Sequence, residues 1–404
     1  MNSAPTIWGT GFYAGNYANG KLKWEETKSF NFGLDLAMFN NRVEFIADLY
    51  FKKTDNLLMQ ASLPNYVTGN IASPWVNAGA IRNKGVELTL NTVNISRPHF
   101  TWKTGFIFSL NRNEIAKLYT ETSGISGTIG NDTYTYTIPG EPVAQFYGYN
   151  VIGMFMEEAD FYQKDSKGEF ICDKDGKRKQ VAIPVGKSIK ESEIWVGDYI
   201  FEDVNGDGII NESDRKFIGN PEPKFSYGFN TSFSYKGLDL SIFFNGVYGN
   251  KVFNYVRQVY TAPTRNSNLL YEVNNLANVE LIDPIGERTI ENMHVANRNA
   301  TICRIATDDS NNNNRMSSKF VEDGSYLRIK NISLGYTLPK SLTKSMKIDN
   351  LRVYVNIQNA FTFTKYSGLD PEIGAYNYNV LTRGIDYARY PSQRIYTFGL
   401  NISL

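Results

Sequence analysis

Apolar residues recur at every second position over runs of nine to eleven residues in this chain. A period of two held that long admits extended strands with one greasy and one polar face, and little else. Phe30, Phe32, Leu34, Leu36 and Met38 alternate with Asn31, Gly33, Asp35 and Ala37. After Asn40-Asn41, the series Val43, Phe45, Ala47, Leu49 and Phe51 alternates with Glu44, Ile46, Asp48 and Tyr50. The pattern returns at Val86–Leu90, Phe100–Leu110, Phe225–Tyr235 and Leu238–Phe244, the last two joined by Lys236-Gly237 as a hairpin. In Ser325–Thr337, Leu327 and Ile329 are out of phase with Ile332 and Leu334, which predicts a bulge. Leu351–Gln358 and Tyr396–Leu404 complete a set of nine strands.

Strand length separates two all-β architectures. Ten residues rising about 3.3 Å each at about 40° tilt reach roughly 25 Å, the height of the apolar band on an outer-membrane barrel. Strands of a soluble sandwich usually stop after about five or six residues and turn the greasy side inward. The links favour the barrel, because short and long ones alternate. Short links are expected at Asn40-Asn41, Thr92–Pro98, Lys236-Gly237 and Leu338–Asn350, and long ones at Lys52–Ile81, Asn111–Lys224, Gly249–Gly324 and Thr362–Ser392. The apolar stretch Gln145–Phe155 then belongs to an outer loop, since a spanning strand there would break the alternation. Nine strands leave two open edges, which lipid does not tolerate, so the chain reads as the C-terminal part, about nine strands, of a larger antiparallel transmembrane β-barrel.

Composition agrees. The chain is 14% aromatic at a mean hydropathy of -0.36, and no run approaches the 18 or so apolar residues of a spanning helix. Rings near strand ends, Trp102, Tyr235, Tyr248, Tyr336, Phe361 and Tyr396, are expected to form interfacial girdles. With 42 Lys+Arg against 41 Asp+Glu, no net field recruits nucleic acid. Two cysteines, Cys172 and Cys303, and two histidines make zinc sites and Cys/His catalysis improbable, and the cysteines are read as structural. The first twenty residues hold neither a basic nor an apolar signal region, so no signal peptide is expected within the chain.

Several blocks resemble the C-terminal part of the SusC/RagA-like TonB-dependent outer-membrane transporters of Bacteroidetes. They are residues 22–58 (LKWEETKSFNFGLDLAMFNNRVEFIADLYFKKTDNLL), 83–87 (NKGVE), 197–223 (GDYIFEDVNGDGIINESDRKFIGNPEP), 323–339 (DGSYLRIKNISLGYTLP) and 390–404 (YPSQRIYTFGLNISL). The resemblance implies a barrel of about 22 strands with an N-terminal plug. It also implies energy from the TonB complex and a SusD-like surface lipoprotein that delivers oligosaccharide or peptide. Plug and TonB-contacting segment are not expected among these residues. Residues 1–404 are thus a partial barrel, with 111–224 an extracellular loop region.

One motif carries chemistry. Residues 203–214 place oxygen donors at Asp203, Asn205, Asp207, Asn211 and Asp214, with the Ile209 carbonyl available and Gly208 at the sharp turn. These are the spacings of a calcium loop, whose hard oxygen ligands suit Ca²⁺. Asp214 is one methylene shorter than the usual Glu, and the flanks Tyr199–Phe201 and Lys216–Ile218 read as strands rather than helices. The expected role is to stiffen an outer loop, so no catalytic residue is assigned. The Asn311–Asn314 run, preceded by Asp308-Asp309-Ser310, reads as a mobile outer loop. An alternative function, a secreted calcium-stabilised glycan-binding or glycan-cleaving β-protein, requires Phe30, Phe229, Phe398 and Val355 to be buried against a second sheet.

Overall fold

The computed structural model describes residues 2–6, 9–13, 18–60, 74–118, 124–262, 264 and 268–403. Nine strands form one antiparallel sheet: β1 (Glu26–Met38), β2 (Val43–Gln60), β3 (Trp75–Arg97), β4 (Phe100–Leu118), β5 (Phe225–Tyr235), β6 (Leu238–Tyr248), β7 (Tyr326–Thr337), β8 (Asn350–Thr364) and β9 (Ile395–Ser403). Each pairs with its sequence neighbour from β1 to β9, leaving β1 and β9 as edges. The register matches the alternation. Phe30 faces Phe51, and Phe106, Phe229 and Phe244 line up on three adjacent strands.

The greasy face meets no second sheet. Phe30 is 70% exposed, Phe229 36% and Phe398 77%, and Val355 is partly exposed. Among the described residues, every buried apolar cluster draws on the long links or on the strand ends that reach them. A sheet that offers aromatic rings on one side and polar groups on the other needs lipid outside and water inside.

Several boundaries differ from the sequence reading. β3 starts at Trp75 rather than near Val86, and β2 and β4 continue to Gln60 and Leu118. The outer link therefore begins after Leu118, not at Asn111. Alternation fades there because strands that have left the lipid no longer need one apolar face. The link expected at Thr92–Pro98 shrinks to Pro98-His99, since β3 runs on to Arg97. The other short links, 39–42, 236–237 and 338–349, lie at the same edge, and all four long ones at the opposite edge. Lys236 and Gly237 both have positive φ, 46° and 88°, the turn whose twist fits a two-residue hairpin.

The bulge in β7 falls at Lys330, which is skipped in the registers with both β6 and β8. Tyr235 and Tyr336 sit at the short-turn edge, and Tyr248 and Phe361 near the far one. Tyr396 is the second residue of β9 from its loop-side end and pairs with Ile357. Gln145–Gly148 and Val151–Met154 lie outside the nine-stranded sheet, as the alternation of links requires, with Phe146 and Phe155 buried.

Candidate functional site

The polar face of the sheet is a smooth wall. On β3, Gly85 leaves room for the Tyr50 ring of β2; a Cβ there would come within 2.3 Å of it. Tyr50 in turn donates its hydroxyl to Asn111 Oδ1 at 2.9 Å. Gly399 on β9 accommodates Tyr354 in the same way. These two tyrosines thus lie across the neighbouring strand.

Ion pairs tie the long links to this wall. Arg328 of β7 reaches Asp370 at 2.5 Å and Glu372 at 2.9 Å, and donates Nε to Thr362 Oγ1 at 2.9 Å. Glu222 pairs with Arg383 and accepts from Asn111 Nδ2 at 3.4 Å. Burial raises the Asp370 pKa, but the amides of Ser392 and Glu372 and the Arg328 guanidinium outweigh it, holding the carboxyl below its ordinary range.

The outer assembly has a polar staple where the sequence suggested a mobile loop. Asn311 and Asn313 are only 2% and 3% exposed. Asn311 donates to the Tyr199 carbonyl, and Asn313 donates to Asp198 Oδ1 and Asp309 Oδ1 and accepts from the Tyr199 amide. Asp198 also forms a buried pair with Arg304 at 3.0 Å, and desolvation raises its pKa despite that partner. Composition alone marks such a run as solvated; the signal missed was its period of two. Asn311 and Asn313 point inward, while Asn312 and Asn314 face the neighbouring cavity. Both cysteines are free, Cys172 exposed and Cys303 buried, and burial pushes the Cys303 thiol up, which makes it inert.

The 203–214 loop folds on itself as its spacing suggests, between strands Tyr199–Phe201 and Lys216–Gly219. Asp203 accepts from the amides of Gly206 and Gly208, Asp207 from Ile209, and Asn211 from Ser213. Asn205 donates to Asp207 Oδ2 at 2.8 Å, and this bond leads the effects that lower the Asp207 pKa. Fully buried Asp214 accepts from Val204 and Asn211, closing the loop from its last position. Gly206 and Gly208 have φ of 74° and 83°, and Ile209-Ile210 pairs with Ile183-Pro184. Among the described residues no three His, Cys, Asp or Glu converge as a metal cluster. A cation here would draw on the two asparagines and the Ile209 carbonyl as well as the aspartates. That donor set is all hard oxygen and fits Ca²⁺ in kind.

Residues 2–166 match a family model described as TonB dependent receptor-like, beta-barrel. TonB-dependent receptor P3 of Formosa agariphila is 33% identical over 404 residues, covering 96% of this chain and 35% of that protein. The chain belongs to the TonB-dependent receptor β-barrel family. TonB-dependent receptor SusC of Bacteroides thetaiotaomicron is 29% identical over 393 residues, 96% of this chain and 32% of SusC. The RagAB peptide importer in its closed-closed state shares the fold with a TM-score of 0.71 at 22% identity, over 99% of this chain and 38% of that one. The chain therefore spans little more than a third of the relatives it matches. It is a TonB-dependent receptor segment of the outer membrane, and its relatives are receptors and transporters rather than enzymes. No helix among the described residues is long and apolar enough to cross a membrane.

Proposed function

We propose that this segment forms the C-terminal wall and outer loops of an importer that takes up oligosaccharides or peptides with energy from TonB, working with a SusD-like surface lipoprotein. The observation that carries the reading is the two-faced sheet, rings outward and polar groups inward, crowned on one edge only by packed loops. A wall of this kind separates lipid from an aqueous lumen. The loops, anchored to it through Arg328 and Glu222, shape the entrance for cargo. The kinship with SusC and the fold shared with RagAB support both cargo classes and the lipoprotein partner. A secreted glycan-binding protein would need the greasy face covered, and it is open.

The test is genetic and biochemical. A strain lacking the gene for the full-length receptor should lose growth on either an oligosaccharide mixture or a peptide digest as sole carbon source, as should a strain lacking TonB. A surface lipoprotein should co-purify with the tagged receptor. Unchanged growth on both sources would overturn the assignment.

We further propose that the 203–214 loop holds a calcium ion through Asp203, Asn205, Asp207, Ile209, Asn211 and Asp214. Bound there, calcium would offset two of the three carboxylate charges and fix the loop that carries Glu212 and leads into Arg215.

A further inference from the structure

We infer that the lipid face carries a site for one anionic phospholipid of the inner leaflet, with an acyl chain in a groove over β8 and the phosphate at lysines of the short links. Such a site goes beyond the importer reading and rests only on the outer-membrane placement of the barrel, short links on the inner side. The groove arises from side-chain size and register. In one row across the sheet Tyr336, Val353 and Leu400 stand side by side, and in the next Leu334, Val355 and Phe398. The valines are the shortest members, so β8 forms a floor between walls on β7 and β9. Leu238 of β6 extends one wall, and the hollow measures about 560 Å³, within the range of small-molecule sites. Both walls belong to strands paired here, so a strand added beyond β9 leaves the groove in place.

One end of the groove opens at the short-link edge, where the charge is one-sided. Leu238 directly follows the Lys236-Gly237 turn, and only Thr337 separates Tyr336 from the 338–349 link. Turn and link touch, since the Thr337 amide donates to the Gly237 carbonyl at 2.8 Å. Together they carry Lys236, Lys340, Lys344 and Lys347, all exposed, against the single carboxylate of Asp349. Among the described residues none of these lysines has an ion-pair partner. Lys236 Nζ lies 5.4 Å from the centre of the Tyr235 ring. Tyr235 pairs with Leu238 on the lipid face, so this ammonium is folded toward the bilayer beside the groove wall. Leu342 is exposed between Lys340 and Lys344, an apolar side chain among cations as on surfaces that rest on lipid headgroups.

Groove and lysines together select the ligand class. An apolar channel that ends at unpaired ammonium groups matches a molecule that joins a hydrocarbon chain to a phosphate. A zwitterionic headgroup brings its own cation to the phosphate, so the lysines favour a headgroup of net negative charge, such as phosphatidylglycerol. The long links carry more Asp and Glu than Lys and Arg, which confines the surplus of positive charge to the inner edge. Each lysine near an anionic leaflet is worth about fivefold in affinity.

The experiment titrates the full-length receptor, purified in detergent, with phosphatidylglycerol or with phosphatidylcholine of the same acyl chains, and reads bound lipid by native mass spectrometry. Phosphatidylglycerol should bind about tenfold or more tighter than phosphatidylcholine. Lys236→Gln combined with Lys340→Gln and Lys344→Gln should remove that preference. Val353→Leu with Val355→Phe fills the groove from the lipid side and should weaken both lipids. Lys174→Gln, Lys177→Gln and Lys179→Gln remove as much charge from exposed positions of the outer assembly and should change nothing. Heat-dependent gel mobility checks that each variant keeps its barrel. Equal affinity for the two lipids, a preference that survives the inner lysine variant, or an equal loss in the outer one would overturn the site. Binding untouched by the groove variant, or competed away by inorganic phosphate or an acidic peptide, would give the lysines to a soluble anion or a protein and overturn it as well. No outcome depends on cargo, so failure of the importer reading would leave the lipid site standing.

Discussion

Ile242 and Ser241 are consecutive on β6 and face opposite sides of the sheet, Ile242 beside Thr231 and Ile332, Ser241 beside Ser232 and Ser333. Ile242 lies four residues above Leu238 at the short-turn edge. At about 3.3 Å per residue and about 40° tilt, that is about 10 Å into an apolar band about 25 Å tall, close to its middle. An arginine at that depth on the lipid face costs about 2–4 kcal/mol. At 1.4 kcal/mol per decade, Ile242→Arg should lower the folding equilibrium constant about 30- to 700-fold. Ser241→Arg places the same charge against water and small serines and should cost less than about 1 kcal/mol. Urea titration of the full-length receptor refolded into vesicles, followed by tryptophan fluorescence and gel mobility, measures both. Equal losses, or a larger loss for Ser241→Arg, would refute the assignment of lipid and lumen faces.

Calcium should protect the 199–219 region from proteolysis, adding about 2.7 kcal/mol of local stability at a concentration one hundred times its dissociation constant. Chelator, or Asp207→Ala, should abolish that protection, and equal cleavage with and without calcium would dismiss the site. For Asp370, whose folded pKa lies below its ordinary 3.8, the stabilising charge is present above that value and lost as pH falls through the folded pKa. Hydrogen exchange corrected for intrinsic rate should show residues 365–394 loosening below about pH 4, and Asp370→Asn should flatten that dependence. Gly85→Ala forces a Cβ to within 2.3 Å of the Tyr50 ring and 2.5 Å of the Leu110 carbonyl, and should cost about 1–3 kcal/mol in the same urea assay. Adding Tyr50→Ala should recover part of the loss.

The nine strands were legible because lipid imposes its period on the sequence. Where lipid stops, so does the code: Trp75–Gly85 is strand without clean alternation, and its upper part packs Ile81 against a cluster that includes the loop residues Val143 and Ala144 instead of a bilayer. The 203–214 motif was readable from spacing, since all its donors lie within twelve residues. The groove over β8 was not, because its floor and walls come from strands whose register only the fold supplies. The Asn311–Asn314 staple was misread because polarity usually means solvent, and only the presence of Asp198 and Tyr199 gives these amides an interior to serve.

With 23 residues, β3 climbs about 58 Å at about 40° tilt, roughly twice the height of the apolar band. About half of it, with the upper parts of β2 and β4, stands clear of the bilayer as a hydrogen-bonded pier. Loops mounted on such a pier cannot swing independently of the barrel. Any load placed on them from outside is passed down through continuous strands, and opening and closing at the mouth must come from whatever rests on the pier rather than from bending at its foot.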